Sequence, residues 1–122
     1  MDLPENMVNV IISSRYTISR KKIRQITSEY LLEKGIGSEY VLNVVFVGRN
    51  KMKAITAQYK EEHQALPVLS FPYKGTRTED GKMLGEILIC YPLAILLAAE
   101  RNKKVDDIMT YLIKHGIDNL LK

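Results

Sequence analysis

Four short runs of apolar and β-branched residues stand out along the chain, and such runs predict strands. The first is Val8–Ile12, and the second, Tyr40–Val47, is so apolar that we expect it at the sheet centre with both faces covered. Two prolines in the third run, Leu66–Tyr73, restrict it to an edge or a strand end. Leu84–Cys90 is the fourth run, so the pattern predicts a small mixed sheet of about four strands.

Between and after these runs, apolar residues recur every three or four positions, as on one face of a helix. The first predicted helix is capped by Thr17 or Ser19 and ends at Gly35. A turn at 48–50 leads into a second helix, residues 51–62. Residues 74–82 are polar and predict a loop. Pro92 starts a third helix that runs to 101, and the last helix begins near 106.

This order of elements predicts one α+β domain over residues 1–122, with the helices mainly on one face of the sheet. A chain of 122 residues with 46% apolar content supports one core without disulfides, and Cys90 is the lone cysteine. The uncharged apolar stretch at 87–99 is broken by a proline and is too short to span a bilayer. The first residues include acids and lack a secretory pattern, so we expect a cytoplasmic protein without a membrane partner.

Positive charge gathers in two parts of the chain, although the net charge of +4 is modest. Clustered Lys and Arg side chains hold phosphate backbones in register without distinguishing sequence. The plainer alternative is a pair of solvated helix faces. The residues that we predict to contact RNA are Arg20, Lys21, Lys22, Arg24, Arg49, Lys51, Lys53 and Lys60.

Candidate chemistry centres on the last predicted helix, because the sequence has no phosphate-binding glycine loop, serine elbow or cysteine pair. His115 and Asn119 are four residues apart, which places both on one helix face. An amide oxygen is a weaker zinc ligand than an imidazole, so these two residues alone do not make a zinc site. The alternative for His115 is a partly buried side chain that is hydrogen-bonded to backbone.

Several isolated side chains are weaker candidates. Ser70 has no neighbouring His or Asp to make it a nucleophile, so we expect a structural role or an RNA contact in a groove. His63 lies at a charged helix end, and Cys90 is expected to be a small buried hydrophobe. Three tyrosines near lysines are candidates for stacking on unpaired bases: Tyr16, Tyr59 and Tyr73.

Four pieces of the sequence together carry a resemblance to a known family. They are Tyr59-Lys60, then LSFP at 69–72, then LGEILICYP at 84–92, then His115-Gly116. In this order and with similar spacing, they resemble the YbeY family of ribosomal RNA maturation factors. That family shows N-x-x-Y-R, T-D-V-L-S-F-P, L-G-D-I-x-I-C and H-G-x-x-H-L-x-G-x-D-H, and the likeness spans nearly the whole chain.

The resemblance implies a fold similar to that of metal-dependent hydrolases, a zinc ion held by three histidines, and cleavage of single-stranded RNA of the small ribosomal subunit. It places the first ligand at His115, the second at Asn119 and the third beyond Lys122, so that the chain ends inside the H-G-x-x-H-x-x-x-x-x-H motif. It implies that Lys60 steers the RNA. Lys60 keeps the positive charge of the family's arginine but not its bidentate hydrogen bonding to phosphate. A ribosomal protein or a GTPase assembly factor is a further expected partner, and DNA is not.

The chain departs from the family pattern at the expected second ligand and at nearby positions. Leu66-Pro67 replaces Thr-Asp, and Glu86 replaces Asp; we expect these departures to cluster around the pocket. Hydrolysis with zinc needs about three protein ligands and an open position. Two hypotheses follow: a YbeY-like endoribonuclease with an incomplete zinc site, and a non-catalytic RNA- or ribosome-binding assembly factor that keeps the fold and the basic face.

Overall fold

The computed structural model describes residues 8–13, 15–60, 65–73, 77–78 and 81–122. Strands and helices alternate through the first part of the chain, and two helices close it. The elements in chain order are β1 (Val8–Ile12), α1 (Arg20–Glu33), β2 (Tyr40–Val47), α2 (Arg49–Lys60), β3 (Val68–Pro72), β4 (Arg77–Thr78), β5 (Gly81–Cys90), α3 (Tyr91–Glu100) and α4 (Val105–Leu120).

The strands form one mixed sheet in the order β1-β2-β5-β3, with the two-residue β4 also paired to β5. β1, β2 and β5 run parallel, whereas β3 runs antiparallel to β5. The predicted central position of Tyr40–Val47 and the edge position of the proline-flanked strand are therefore both confirmed. The carboxyl ends of the three parallel strands and the beginning of β3 lie at the same edge of the sheet, which we call the carboxyl edge.

In the part of the chain that the structure describes, three helices cover one face of the sheet and one helix covers the other. α1, α3 and α4 pack with alternate residues of the strands, such as Val10, Val44 and Ile87, in the main core. α2 packs on the opposite face through Met52, in a smaller core with Leu69 and others. The predicted α+β class, with helices mainly on one face, is confirmed.

Local chemistry explains where several elements begin. Of the two predicted caps of α1, the structure selects Ser19, whose Oγ accepts a hydrogen bond from the backbone N–H of Lys22 at 3.2 Å. α2 begins at Arg49, so the predicted turn at 48–50 is shorter than expected. The prediction of a loop over 74–82 is wrong in part, because 77–78 pair with 81–82 as strands. Neither pair of residues has the apolar pattern that marks the other strands.

Two glycines let α4 lie close to the sheet. A Cβ atom at Gly116 would lie 2.8 Å from Cγ2 of the buried Ile87, and a Cβ atom at Gly85 would lie 2.8 Å from Cδ2 of Leu120 on α4. Contacts this short do not occur, so only glycine permits this approach. This close packing sets the distance between β3 and the part of α4 that carries the candidate site.

Candidate functional site

A cavity of about 480 Å³ lies between the carboxyl-terminal half of α4 and β3. His115 and Asn119 form its helix side, one turn apart, as their spacing predicts. Leu66–Ser70 form its strand side. The structure thus brings together three residues that the sequence singled out, and we call this space the His115 cavity.

Hydrogen bonding and packing hold the two walls of the His115 cavity together. The Ser70 Oγ donates a hydrogen bond to the carbonyl oxygen of Gly116 at 2.8 Å. The Ser70 hydroxyl therefore tethers β3 to α4, which is a structural role for this residue. His115 is exposed, so the alternative of a partly buried histidine is wrong.

An aromatic and cationic surface continues from the His115 cavity along α4. The ring of Tyr111 stacks on the imidazole of His115, with centroids 6.0 Å apart and planes 16° from parallel. The guanidinium carbon of Arg101 lies 5.7 Å from the centre of the Tyr111 ring. Tyr111 is 51% exposed. Tyr111 was not among the residues predicted from the sequence, although it precedes His115 by four residues and so shares its helix face.

The first group of basic residues lies on α1, away from the His115 cavity. α4 separates the two, because it contacts α1 on one side and β3 on the other. Two of the four cations are already engaged: Arg20 donates to the Val10 carbonyl oxygen, and Lys22 pairs with Asp106 at 2.7 Å. That pairing raises the pKa of Lys22, first through the hydrogen bond and then through the charge of Asp106. Lys21 and Arg24 have no ion pair with a described acid.

The second group of basic residues lies on α2, across the sheet from α4. Arg49 and Lys51 line a different cavity at the start of this helix, and Lys53 is exposed. Lys60 is the last residue of α2, and its side chain lies outside the described part of the chain, as does the whole of His63. The predicted role of Lys60 in steering phosphate therefore stays a prediction.

The departures from the family pattern do not all surround one pocket. Leu66 and Pro67 line the His115 cavity, as expected. Glu86, however, points to the opposite face of the sheet, where it lies next to Asn43, whose Nδ2 donates to its Oε2 at 3.5 Å. The expectation for Glu86 is wrong, because side chains alternate along a strand and its neighbour Ile87 faces α4.

The described residues at the His115 cavity do not fit the zinc ion that the resemblance implies. The donors there are one imidazole, at His115, and one amide, at Asn119, whereas hydrolytic zinc sites have about three protein ligands of higher affinity. In the described ranges, no three His, Cys, Asp or Glu side chains lie close enough to hold a metal ion. We therefore assign no step of chemistry to a metal here.

The described residues form one mixed sheet with an antiparallel edge strand, and a histidine-bearing helix packs against that strand, so the fold is of the α+β class. Its candidate site lies between that helix and that strand. The chain belongs to the YbeY family, because the family model described as endoribonuclease YbeY matches residues 9–121.

Individual relatives agree with this assignment. The chain is 32% identical over 108 residues to the endoribonuclease YbeY of Bartonella quintana, covering 87% of this chain and 66% of the relative. It is 30% identical over 117 residues to that of Thermodesulfovibrio yellowstonii, covering 93% and 68%. The chain thus spans about two thirds of the length of these two relatives.

A solved structure supports the fold. The solution structure of TM1509 from Thermotoga maritima superposes with a TM-score of 0.59 at 22% identity, over 95% of this chain and 73% of that one. In the described ranges, no helix has the length and apolar character needed to cross a membrane.

Proposed function

We propose that this chain is a YbeY-type maturation factor in the cytoplasm that binds single-stranded RNA of the small ribosomal subunit in the His115 cavity. The observation that carries the proposal is the surface formed by the cavity and the adjoining Tyr111 ring. Single-stranded RNA is held mainly by stacking of its unpaired bases on aromatic side chains, together with positive charge along its backbone. Arg101 supplies one positive charge beside Tyr111.

The stacked rings of Tyr111 and His115 set the direction in which a bound RNA strand runs. An unpaired base that stacks next to the His115 imidazole brings its neighbouring phosphate toward the cavity wall, where the Asn119 amide can donate to a phosphate oxygen. In the family, Lys60 corresponds to an arginine, and in this proposal its charge steers the same backbone. Endoribonuclease activity is the printed description of the relatives. For this chain it is part of the proposal.

A second candidate is a non-catalytic assembly factor that binds the same RNA, a ribosomal protein or a GTPase of the assembly pathway. The donor set of the His115 cavity favours this candidate, since one imidazole and one amide cannot hold a hydrolytic zinc ion as three imidazoles do. RNA binding is common to both candidates, and cleavage and tight metal binding separate them.

The test uses the purified chain and a labelled single-stranded RNA taken from the small-subunit RNA. Binding is followed by fluorescence anisotropy, cleavage by gel electrophoresis and metal content by mass spectrometry. We expect binding at low salt that weakens steeply as salt rises. Retained binding without metal or cleavage supports the assembly factor, whereas stoichiometric zinc and cleavage, both lost in His115→Ala, support the endoribonuclease.

A duplex RNA of the same sequence is the control for the nucleic acid. Its paired bases cannot stack on the protein, so it should bind at least about tenfold more weakly than the single strand. Equal affinity for the two RNAs, or no affinity for either, contradicts the proposal. Lys34→Ala is the control for the protein, because it removes an exposed lysine near Asp118, on the α1 side of α4.

A further inference from the structure

A second cavity, of about 750 Å³, lies at the carboxyl edge where β1 and β2 end. After β1 the chain passes to α1 on one face of the sheet, and after β2 it passes to α2 on the opposite face. The two connections leave the sheet in opposite directions, so a crevice opens between them. Ligands of open α/β sheets bind in crevices at such points. We call this space the strand-end cavity.

The lining of the strand-end cavity combines an apolar floor with a positive rim. The strand ends contribute apolar side chains such as Ile12 and Val47. The exposed cations Arg15, Arg49 and Lys51 surround the opening, and no acidic residue is among the described residues that line it. None of the three cations forms an ion pair with a described acid. The site is thus built for a ligand with an apolar part and a negative part.

We propose that the strand-end cavity binds a phosphorylated nucleotide. The phosphate lies between the Arg49 and Lys51 side chains, where charge-assisted hydrogen bonds are strongest, and the base lies on the apolar floor beside Tyr16. The volume is within the range of about 300 to 1,000 Å³ that is typical of small-ligand sites. Tyr16 is itself fixed by its contact with Tyr91, whose ring centroid is 5.0 Å away.

The position of the strand-end cavity connects it with the proposed function, on which this step rests. The backbone N–H of Cys90 donates to the carbonyl oxygen of Pro67 at 2.9 Å, so the residues before β3 reach the carboxyl edge. The His115 cavity therefore opens toward the edge at which the strand-end cavity lies. The strand-end cavity is lined by the ends of both β1 and β2, so it lies two to three strand spacings from β3, about 10 to 14 Å, and an RNA of about four or more nucleotides can occupy both cavities.

The nucleotide has two sources, a free mononucleotide or one unit of an RNA strand, and one experiment distinguishes them. Amide chemical shifts of the ¹⁵N-labelled chain are followed while inorganic phosphate, uridine monophosphate or a single-stranded hexanucleotide is added. Gly48 and Ser13 report on the strand-end cavity, and Tyr111 and His115 report on the His115 cavity. We expect shifts at Gly48 with the hexanucleotide and weaker or no shifts with inorganic phosphate.

If the mononucleotide shifts the Gly48 amide with an affinity similar to that of the hexanucleotide, the cavity is a free-nucleotide site. If only the hexanucleotide shifts this amide, the cavity is a site for RNA. Shifts at Gly48 without shifts at Tyr111 and His115 leave the strand-end site standing while the proposed function fails. No shift at Gly48 with any nucleotide, or equal shifts with inorganic phosphate, overturns the inference.

Charge substitutions provide the second arm. Arg49→Gln with Lys51→Gln should weaken nucleotide binding at Gly48 by about tenfold or more. The matched control, Lys82→Gln with Lys103→Gln, also removes two positive charges, but from exposed residues that do not line either cavity. An equal loss in both double variants means that only net charge matters and overturns the inference. Circular dichroism checks that each variant folds. If the Arg49→Gln, Lys51→Gln protein does not fold, Arg15→Gln is used in its place.

Discussion

At the scale of single residues, position on α4 matters as much as residue type. His115 is placed at the surface because the next residue, Gly116, lets the helix settle onto Ile87. Tyr111, one turn earlier, then lies under the imidazole and is held on the same exposed face. His115 and Arg101 both lie near this ring, but Tyr111 remains 51% exposed, so stacking area stays available for a ligand.

The first prediction concerns this ring. Tyr111→Ala should weaken binding of single-stranded RNA by about 1 to 3 kcal/mol, the usual contribution of one stacked base, or about 5- to 150-fold. Tyr111→Phe should retain most of the affinity, because the π face remains. Fluorescence anisotropy at fixed salt measures both variants.

Tyr73→Ala is the matched control. Tyr73 is 42% exposed and is one of the stacking candidates from the sequence, but it follows β3 at the end away from the His115 cavity, where its N–H donates to the carbonyl oxygen of Leu84. Its removal should leave the affinity within about twofold, the effect of a surface substitution away from the site. If Tyr73→Ala weakens binding as much as Tyr111→Ala, the stacking surface is not where we place it.

At the scale of elements, α4 carries half of a metal-binding arrangement. Two histidines four residues apart on a helix converge on one zinc ion, and this chain has the first at His115 with an amide at the second position. The geometry is intact, since His115 and Asn119 line the same cavity. Only the donor chemistry of the second residue differs from a two-histidine site.

The second prediction follows from this difference. Asn119→His should raise the affinity of the chain for Zn²⁺ by about tenfold or more, because an imidazole replaces a weak amide donor. Calorimetric titration measures the affinity directly, and an increase in melting temperature with added zinc reports it independently.

Lys114→His supplies the control, since it adds the same residue at a neighbouring helix position that does not face His115. It should leave the zinc affinity close to that of the unaltered chain. A gain in Lys114→His equal to that in Asn119→His means that the added histidine acts without His115, and that the helix spacing is irrelevant.

At the scale of the whole molecule, the sequence predicted what depends on local pattern. The strands at 8–12 and 40–47 were predicted because their apolar runs are continuous, and the pair His115 and Asn119 because helix spacing is regular. β4 was not predicted, since 77–78 become a strand only by pairing with β5. The strand-end cavity depends on two connections that leave the sheet on opposite faces, which no local pattern encodes.

Cys90 makes the free energy of unfolding of the whole chain depend on pH. It ends β5 in the smaller core and is 0% exposed, which confirms the prediction of a small buried hydrophobe. Burial raises the pKa of its thiol above the ordinary value, a shift that a hydrogen bond with the Leu93 backbone and the charge of Arg49 only partly oppose. The folded chain therefore keeps this proton at a pH at which the unfolded chain has lost it.

The third prediction is a pH dependence of unfolding. Below about pH 8.5, the thiol is protonated in both states, and the stability that it contributes is fully present. As the pH rises toward the raised folded pKa, only the unfolded chain ionises, so the free energy of unfolding falls by at most about 1.4 kcal/mol per pH unit from this group. Urea unfolding at pH 7.5 to 10 should show a smaller decrease in the free energy of unfolding in Cys90→Ala than in the unaltered chain.

Since other groups, such as Lys22, titrate equally in both proteins, the difference between them isolates the thiol. Equal decreases in the two proteins mean that Cys90 ionises as readily in the folded chain as in the unfolded one, which requires that solvent reaches the end of β5.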